Sequence, residues 1–277
     1  MRNMLTAPLS ALSACAFLAA PAAAHFQVLH AGPANIGGGR ALDFTLAFAH
    51  PFAGDPVMDM GQPQAFYLVR QAGEQEAQRV DLAEYLRPAT FRGLQTEAAA
   101  FTARLPASLT RGLGDHVFVL EPAPYYEAEE DTYIQQFTKT VLNVGGLPGN
   151  WAEPVGLPAE IVPLDRPYGV WAGGIFRGMV MSEGEPVPFA EVEVEYMNHP
   201  LDPDGLGWEA GARKLPEHAV METISARADA TGMIAVALPW AGWWGIGALG
   251  VGPETEHEGK PLSQDAVLWV EALSQPE

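Results

Sequence analysis

The stretch AAPAAAHFQVLH, residues 19–30, places a histidine where a secretion signal ends. Ala22-Ala23-Ala24 has the small-x-small form read by signal peptidase, and it follows Arg2 and a run of apolar and small residues. Cleavage there makes His25 the first residue of the mature chain. A chain-terminal histidine offers an α-amine and a ring nitrogen from one residue. The amine has a reference pKa of about 8, so a metal displaces its proton at modest cost near neutral pH. Both nitrogens are borderline ligands that suit nickel, copper or cobalt, and an internal histidine supplies the ring alone.

The second candidate is HPFAGDPVMDMG, residues 50–61, a Gly/Pro loop at the end of an apolar segment. It brings His50, Asp55, Met58, Asp59 and Met60 together. Imidazole suits nickel and copper, and thioether favours soft metal such as copper(I). His50 is therefore expected to be the partner of His25, with Met58, Asp59 and Met60 as weaker candidates. APYYEAEEDTY, residues 123–133, adds oxygen donors around Glu127, although a solvated acidic loop reads the same way. His116 opens a strand and is a weaker candidate still. His30 lies five residues after His25 on one strand and so faces the other way. His199, His218 and His257 are scattered in polar segments. Trp240, Trp243 and Trp244 read as core-filling residues rather than a sugar platform.

The elements that must position these residues are short strands. ALDFTLAFA (41–49), AFYLVR (65–70), AAFTARL (99–105), HVFVLEP (116–122) and AEVEVEYM (190–197) have strand patterns between Gly/Pro turns. Helical patterns are scarce: DLAEYL (81–86) reads as one turn, and TYIQQFTKTVL (132–142) fits helix or strand. The strands flanking GPANIGGGR (32–40) are expected to form a hairpin whose outer ends, His25 and His50, meet. The fold class expected is all-β, with two β-sandwich domains divided at PLDRPYG (163–169). Residues 1–24 would be the signal peptide, 25–166 an N-terminal metal-binding sandwich, and 167–277 a C-terminal sandwich. In the latter, G-x-V…G-x-P-V-x-x-A-x-V-x-V followed by A-D-x-T-G resembles the transthyretin-like or carboxypeptidase-regulatory Ig-type sandwich. That fold presents sites without naming a function.

Composition removes several classes. Cys15 is the only cysteine among 277 residues, and cleavage after Ala24 discards it. Thiol proteases, zinc fingers and iron–sulfur sites are thereby excluded. Leu12-Ser13-Ala14-Cys15 also resembles a lipoprotein box, the alternative in which Cys15 carries lipid. Export without disulfides fits a periplasm, and a chain this large needs no staples. The mature chain holds 14 basic and 34 acidic residues, a net of −20, because Arg2 is the single charge removed. Nucleic acid and anionic membrane surfaces are poor partners for it, and cations are natural ones. No HExxH, GxSxG, P-loop or GxGxxG is present, so no enzyme is expected.

HFQVL after the signal, AHPFAGDPVMDMG, EPAPYYEAEEDTYIQQFTKTVLNVGG, EIVPLDRPYGVWAGGIFRGMVMSEGEPVPFAEVEVEYMN, PWAGWWGIGAL and AVLWV together resemble a bacterial family. It is catalogued as the periplasmic component of cobalt/nickel transport systems, and otherwise as a domain of unknown function. The resemblance implies a periplasmic role in handling Ni2+ or Co2+, with an inner-membrane importer as partner and His25 and His50 at the family's histidine positions. Two rivals stay open. One is a copper protein or copper oxidoreductase with an N-terminal histidine brace; the other is a non-catalytic adhesion or carbohydrate-binding module.

Overall fold

The computed structural model describes residues 25–71 and 76–276. The expected signal segment, with Cys15, lies outside them. The fold is all-β and sandwich-like. Fourteen strands have five or more residues: β1 (Phe26–His30), β2 (Leu42–Ala49), β3 (Ala65–Arg70), β4 (Leu86–Arg92), β5 (Glu97–Leu105), β6 (Gly114–Glu121), β7 (Thr132–Val144), β8 (Ala159–Pro163), β9 (Gly174–Ser182), β10 (Glu191–Tyr196), β11 (Thr223–Arg227), β12 (Met233–Leu238), β13 (Gly242–Ala248) and β14 (Lys260–Leu273). DLAEYL contributes one 3-10 turn, Ala83–Tyr85, and TYIQQFTKTVL is strand. Among the described residues no helix is long and apolar enough to cross a membrane.

Among the described residues, the long strands form three sheets. The first runs β1-β2-β5-β4. The second runs β11-β10-β13-β14-β7-β6-β3 and ends on the short strand Gln78–Asp81. The third joins β8, β9 and β12. Phe44 of β2 packs against Phe66 and Phe118 of the second sheet, with ring centroids 5.6 and 4.6 Å apart. Burying each such ring is worth about 1.5–3 kcal/mol. Buried side chains from all three sheets form one continuous core.

The halves of the chain are joined more tightly than a linker would join them. β7 and β14 pair in parallel from Tyr133↔Leu262 to Thr140↔Trp269, so one sheet crosses both halves. The division expected between residues 166 and 167 falls within the PLDRPYG turn, after β8. β8 ends at Pro163 and already pairs with β9, from Ala159↔Ser182 to Pro163↔Gly178. PLDRPYG is a turn inside the second half. Its Gly169 N–H donates to the Arg166 carbonyl, and its Asp165 accepts a forked pair of bonds from Arg177 at 2.9 and 3.0 Å. Residues 145–158 link β7 to β8, where the chain changes from one sheet to another.

Lys139 of β7 and Glu160 of β8 form a buried ion pair across that change. Glu160 also accepts from the backbone N–H groups of Val155, Gly156 and Leu157 at 2.9, 3.0 and 3.3 Å. Burial pulls the Lys139 ammonium down, against the attraction of Glu160. Removing one partner leaves the other charge stranded, so Lys139→Met is expected to lower the unfolding free energy by about 3–5 kcal/mol in urea titration. Lys139→Met with Glu160→Gln should recover most of it, and equal loss in both would contradict the ion-pair account.

Candidate metal centre

The hairpin register decides what meets at its open end. β1 and β2 pair antiparallel, and the outermost pair is Phe26↔Ala49. His25 and His50 are the next residues outward, directly opposite each other. Opposed residues of an antiparallel pair point to one face. The two imidazole centroids lie 4.5 Å apart with their planes at 55°. The His25 ring also lies 5.6 Å from the Phe48 ring, which packs edge-on to Tyr125 at 5.2 Å.

Acidic residues arrive from elsewhere. The short strand Tyr125–Glu127 folds back on the start of β7, pairing Glu127 with Thr132. This sets Glu127 Oε2 3.3 Å from His25 Nε2. An open cavity of about 640 Å³ lies over the pair, lined by His25, His50, Met58, Asp59, Glu97, Tyr125, Glu127, Glu129 and Glu130 among others. Glu97 opens β5, which reaches the site by pairing with β2. No local pattern marked it as a site residue, because a glutamate at a strand end is ordinary.

His50 is buried. Burial first, and then the facing His25, pushes its imidazole down to about 4, with Asp55 opposing. It is therefore neutral near pH 7, the form that ligates metal. Its loop is clasped by the second half of the chain. Asn198 N–H donates to the Pro51 carbonyl at 3.0 Å, and Phe52 N–H donates to Glu195 Oε2 at 3.2 Å.

Glu195 lies on the strictly alternating AEVEVEYM strand, yet it is buried. Burial pushes its carboxyl up to about 8, while the bonds from Thr223 and Phe52 oppose this and the nearby Glu193 and Glu222 add to it. Between its ordinary value of 4.5 and about 8, the folded state holds a proton that the unfolded chain releases. Stability therefore falls as pH rises through that window, by on the order of 5 kcal/mol at most. Urea unfolding at pH 5 and pH 8 is expected to show the fall, and Glu195→Gln should remove much of it. The same slope in both proteins would refute this role for Glu195.

The other candidates separate clearly. Met58 lines the cavity. Asp59 lines it too, but its Oδ1 accepts the Ala99 N–H at 2.7 Å. Asp55 is engaged with Gln95 and Thr96, accepting three bonds of 2.6, 3.1 and 2.6 Å. Met60 does not line the cavity; its sulfur accepts from Gln27 Nε2 at 3.3 Å. His116 lies within β6, paired with Leu142 and Arg70, and is not at the site. Its Nδ1 is 3.3 Å from the Gly114 carbonyl oxygen. His30 packs edge-on to Trp243 at 5.3 Å, and burial pushes its ring down to about 4. Among the described residues, no three His, Cys, Asp or Glu side chains are grouped so as to hold a metal ion.

The family model described as a domain of unknown function, DUF4198, matches residues 22–252. The chain belongs to the DUF4198 family. The DUF4198 match takes in His25, His50 and Glu127 and stops short of β14. No curated protein matches the chain. Among solved structures, it is similar to the D0-D1 domain of intimin at 9% identity, covering 90% of this chain and 100% of that one, with a TM-score of 0.21. It is also similar to the Yersinia pseudotuberculosis adhesin InvE at 14% identity, covering 87% of this chain and 58% of that one, with a TM-score of 0.20. Trypsin-activated alpha-2-macroglobulin from Escherichia coli gives 10% identity, covering 91% of this chain and 16% of that one, with a TM-score of 0.24. Likeness this slight transfers neither architecture nor function to the DUF4198 chain.

Proposed function

We propose that the mature chain is a periplasmic carrier that captures a divalent transition metal, nickel first and cobalt second, and passes it to an inner-membrane importer. His25 gives its amine and ring, and His50 gives a second ring. Glu127, or water, completes the shell. The observation that carries this reading is the opposed His25–His50 pair, with its rings 4.5 Å apart at the mouth of an acidic cavity. Rings this close lie within reach of one shared ion. The neutral state of His50 leaves no proton to displace there. The surrounding carboxylates raise the local concentration of cations. The importer and the choice of metal rest on the family resemblance.

Copper is the second reading, favoured by the donor set itself. Two rings and an amine make three nitrogen ligands, which suit tetragonal copper(II), and copper leads the affinity order at nitrogen sites. Metal analysis of protein purified from the native periplasm tests both readings. About one equivalent of nickel or cobalt is expected. One equivalent of copper, with oxygen consumption above that of free copper in ascorbate, would favour the copper oxidoreductase. Absence of any transition metal in correctly processed protein would favour a module that works by adhesion.

A further inference from the structure

His25 stands at the edge of β1, where a chain end is expected to fray. Its peptide is instead gripped by one side chain. Gln136 of β7 accepts the Gln27 N–H through Oε1 at 2.7 Å and donates through Nε2 to the His25 carbonyl at 2.8 Å. A side-chain amide thus brackets Phe26, holding the carbonyl of the first peptide and the N–H of the second, as a neighbouring strand would. The same Nε2 lies 3.2 Å from Asp265 Oδ2, and Asp265 is the register partner of Gln136 in the parallel β7–β14 pairing. Asp265 is fixed in turn, its Oδ1 accepting from Gly250 N–H at 2.8 Å and Ser263 Oγ at 2.6 Å. Trp269 Nε1 donates to the Gln27 carbonyl at 2.9 Å. Gln136 and Asp265 are both buried. Only one orientation of the Gln136 amide serves an N–H on one side and a carbonyl and carboxylate on the other, so its partners lock it.

The approach is tight as well. A Cβ on Gly245 of β13 would stand 2.7 Å from the Phe26 ring. β1 therefore lies close against the second half of the chain because that position has no side chain.

We propose that Gln136, backed by Asp265, is a positioning residue that holds the first peptide of the mature chain so that the amine and ring of His25 face His50. What the amine does there rests on the metal reading above; the holding itself does not.

The test is a cycle of four proteins. They begin at His25 or at one added alanine, each with and without Gln136→Leu, which keeps the bulk and removes the clamp. In the protein beginning at His25, Gln136→Leu is expected to weaken nickel binding roughly tenfold. In the alanine-extended protein the loss should be under about twofold, since the amine has already left the chelate. Equal losses in both backgrounds would overturn the proposal, leaving Gln136 a support for the fold alone. Hydrogen exchange at the Gln27 amide, measured without metal, decides separately. It is expected to quicken at least about tenfold with Gln136→Leu while the β6 amides stay protected. Unchanged exchange would overturn the proposal whatever the metal result. Quickened exchange in a protein that binds no metal would support the clamp and sink the metal reading. Should Gln136→Leu fail to fold, Gln136→Asn answers the same question by withdrawing the amide by one methylene.

Discussion

One alanine added ahead of His25 is expected to weaken nickel or copper binding at least about thirtyfold, or about 2 kcal/mol. The addition leaves the ring, the register and the fold intact, and only the amine moves. In its place at His25 stands an amide nitrogen, which keeps its proton near neutral pH and is a far weaker ligand. Calorimetric titration of the two proteins, with circular dichroism as the folding check, reads the difference. Equal affinities would mean that the terminal histidine is incidental. The amine also sets the pH dependence. His50 is already neutral above about 4, so it contributes no proton competition near neutrality. The amine does, with its reference pKa of about 8, so affinity should rise with pH between about 6 and 8 and then level off.

His50→Ala is expected to cost about a hundredfold in the same titration, or about 2.7 kcal/mol, because it removes one of three nitrogen ligands. The loss should reach all of the candidate metals, since each depends on the shared ring. Asp59→Asn serves as the control. Asp59 lines the cavity, yet one of its oxygens is committed to the Ala99 N–H. Its variant should change affinity by less than about threefold, through charge alone. A His50→Ala protein that still binds as tightly as its parent would place the metal elsewhere.

Much of the hairpin was legible in the sequence, and the reason is local. Two apolar strands around a Gly-rich turn pair with each other, and the register then sets His25 opposite His50. What converges on that hairpin was not legible. Glu97 and Glu127 reach it through sheet pairing and a reversal of the chain, which leave no mark on the local pattern. Glu195 reads as an outward residue by strand alternation, but the 50–54 loop folds over it and buries it. Met60 and His116 are candidates by residue type alone. The structure gives the Met60 sulfur to Gln27 and places His116 within the sheet. At PLDRPYG the chain makes a turn, and prolines mark a turn within a sandwich as readily as a linker between two. The pairing of Gln136 with Asp265, which holds the start of the mature chain, joins residues far apart in sequence, and no spacing rule foretells it.

The most direct measurement of the central claim is anomalous diffraction at the nickel edge from crystals of the chain beginning at His25, loaded with one equivalent of metal. The account expects a single strong peak about 2 Å from the His25 amine, one His25 ring nitrogen and one His50 ring nitrogen, with Glu127 or water beyond them. A peak held by other residues, or a well-ordered His25–His50 pair with no metal between its rings, would contradict it.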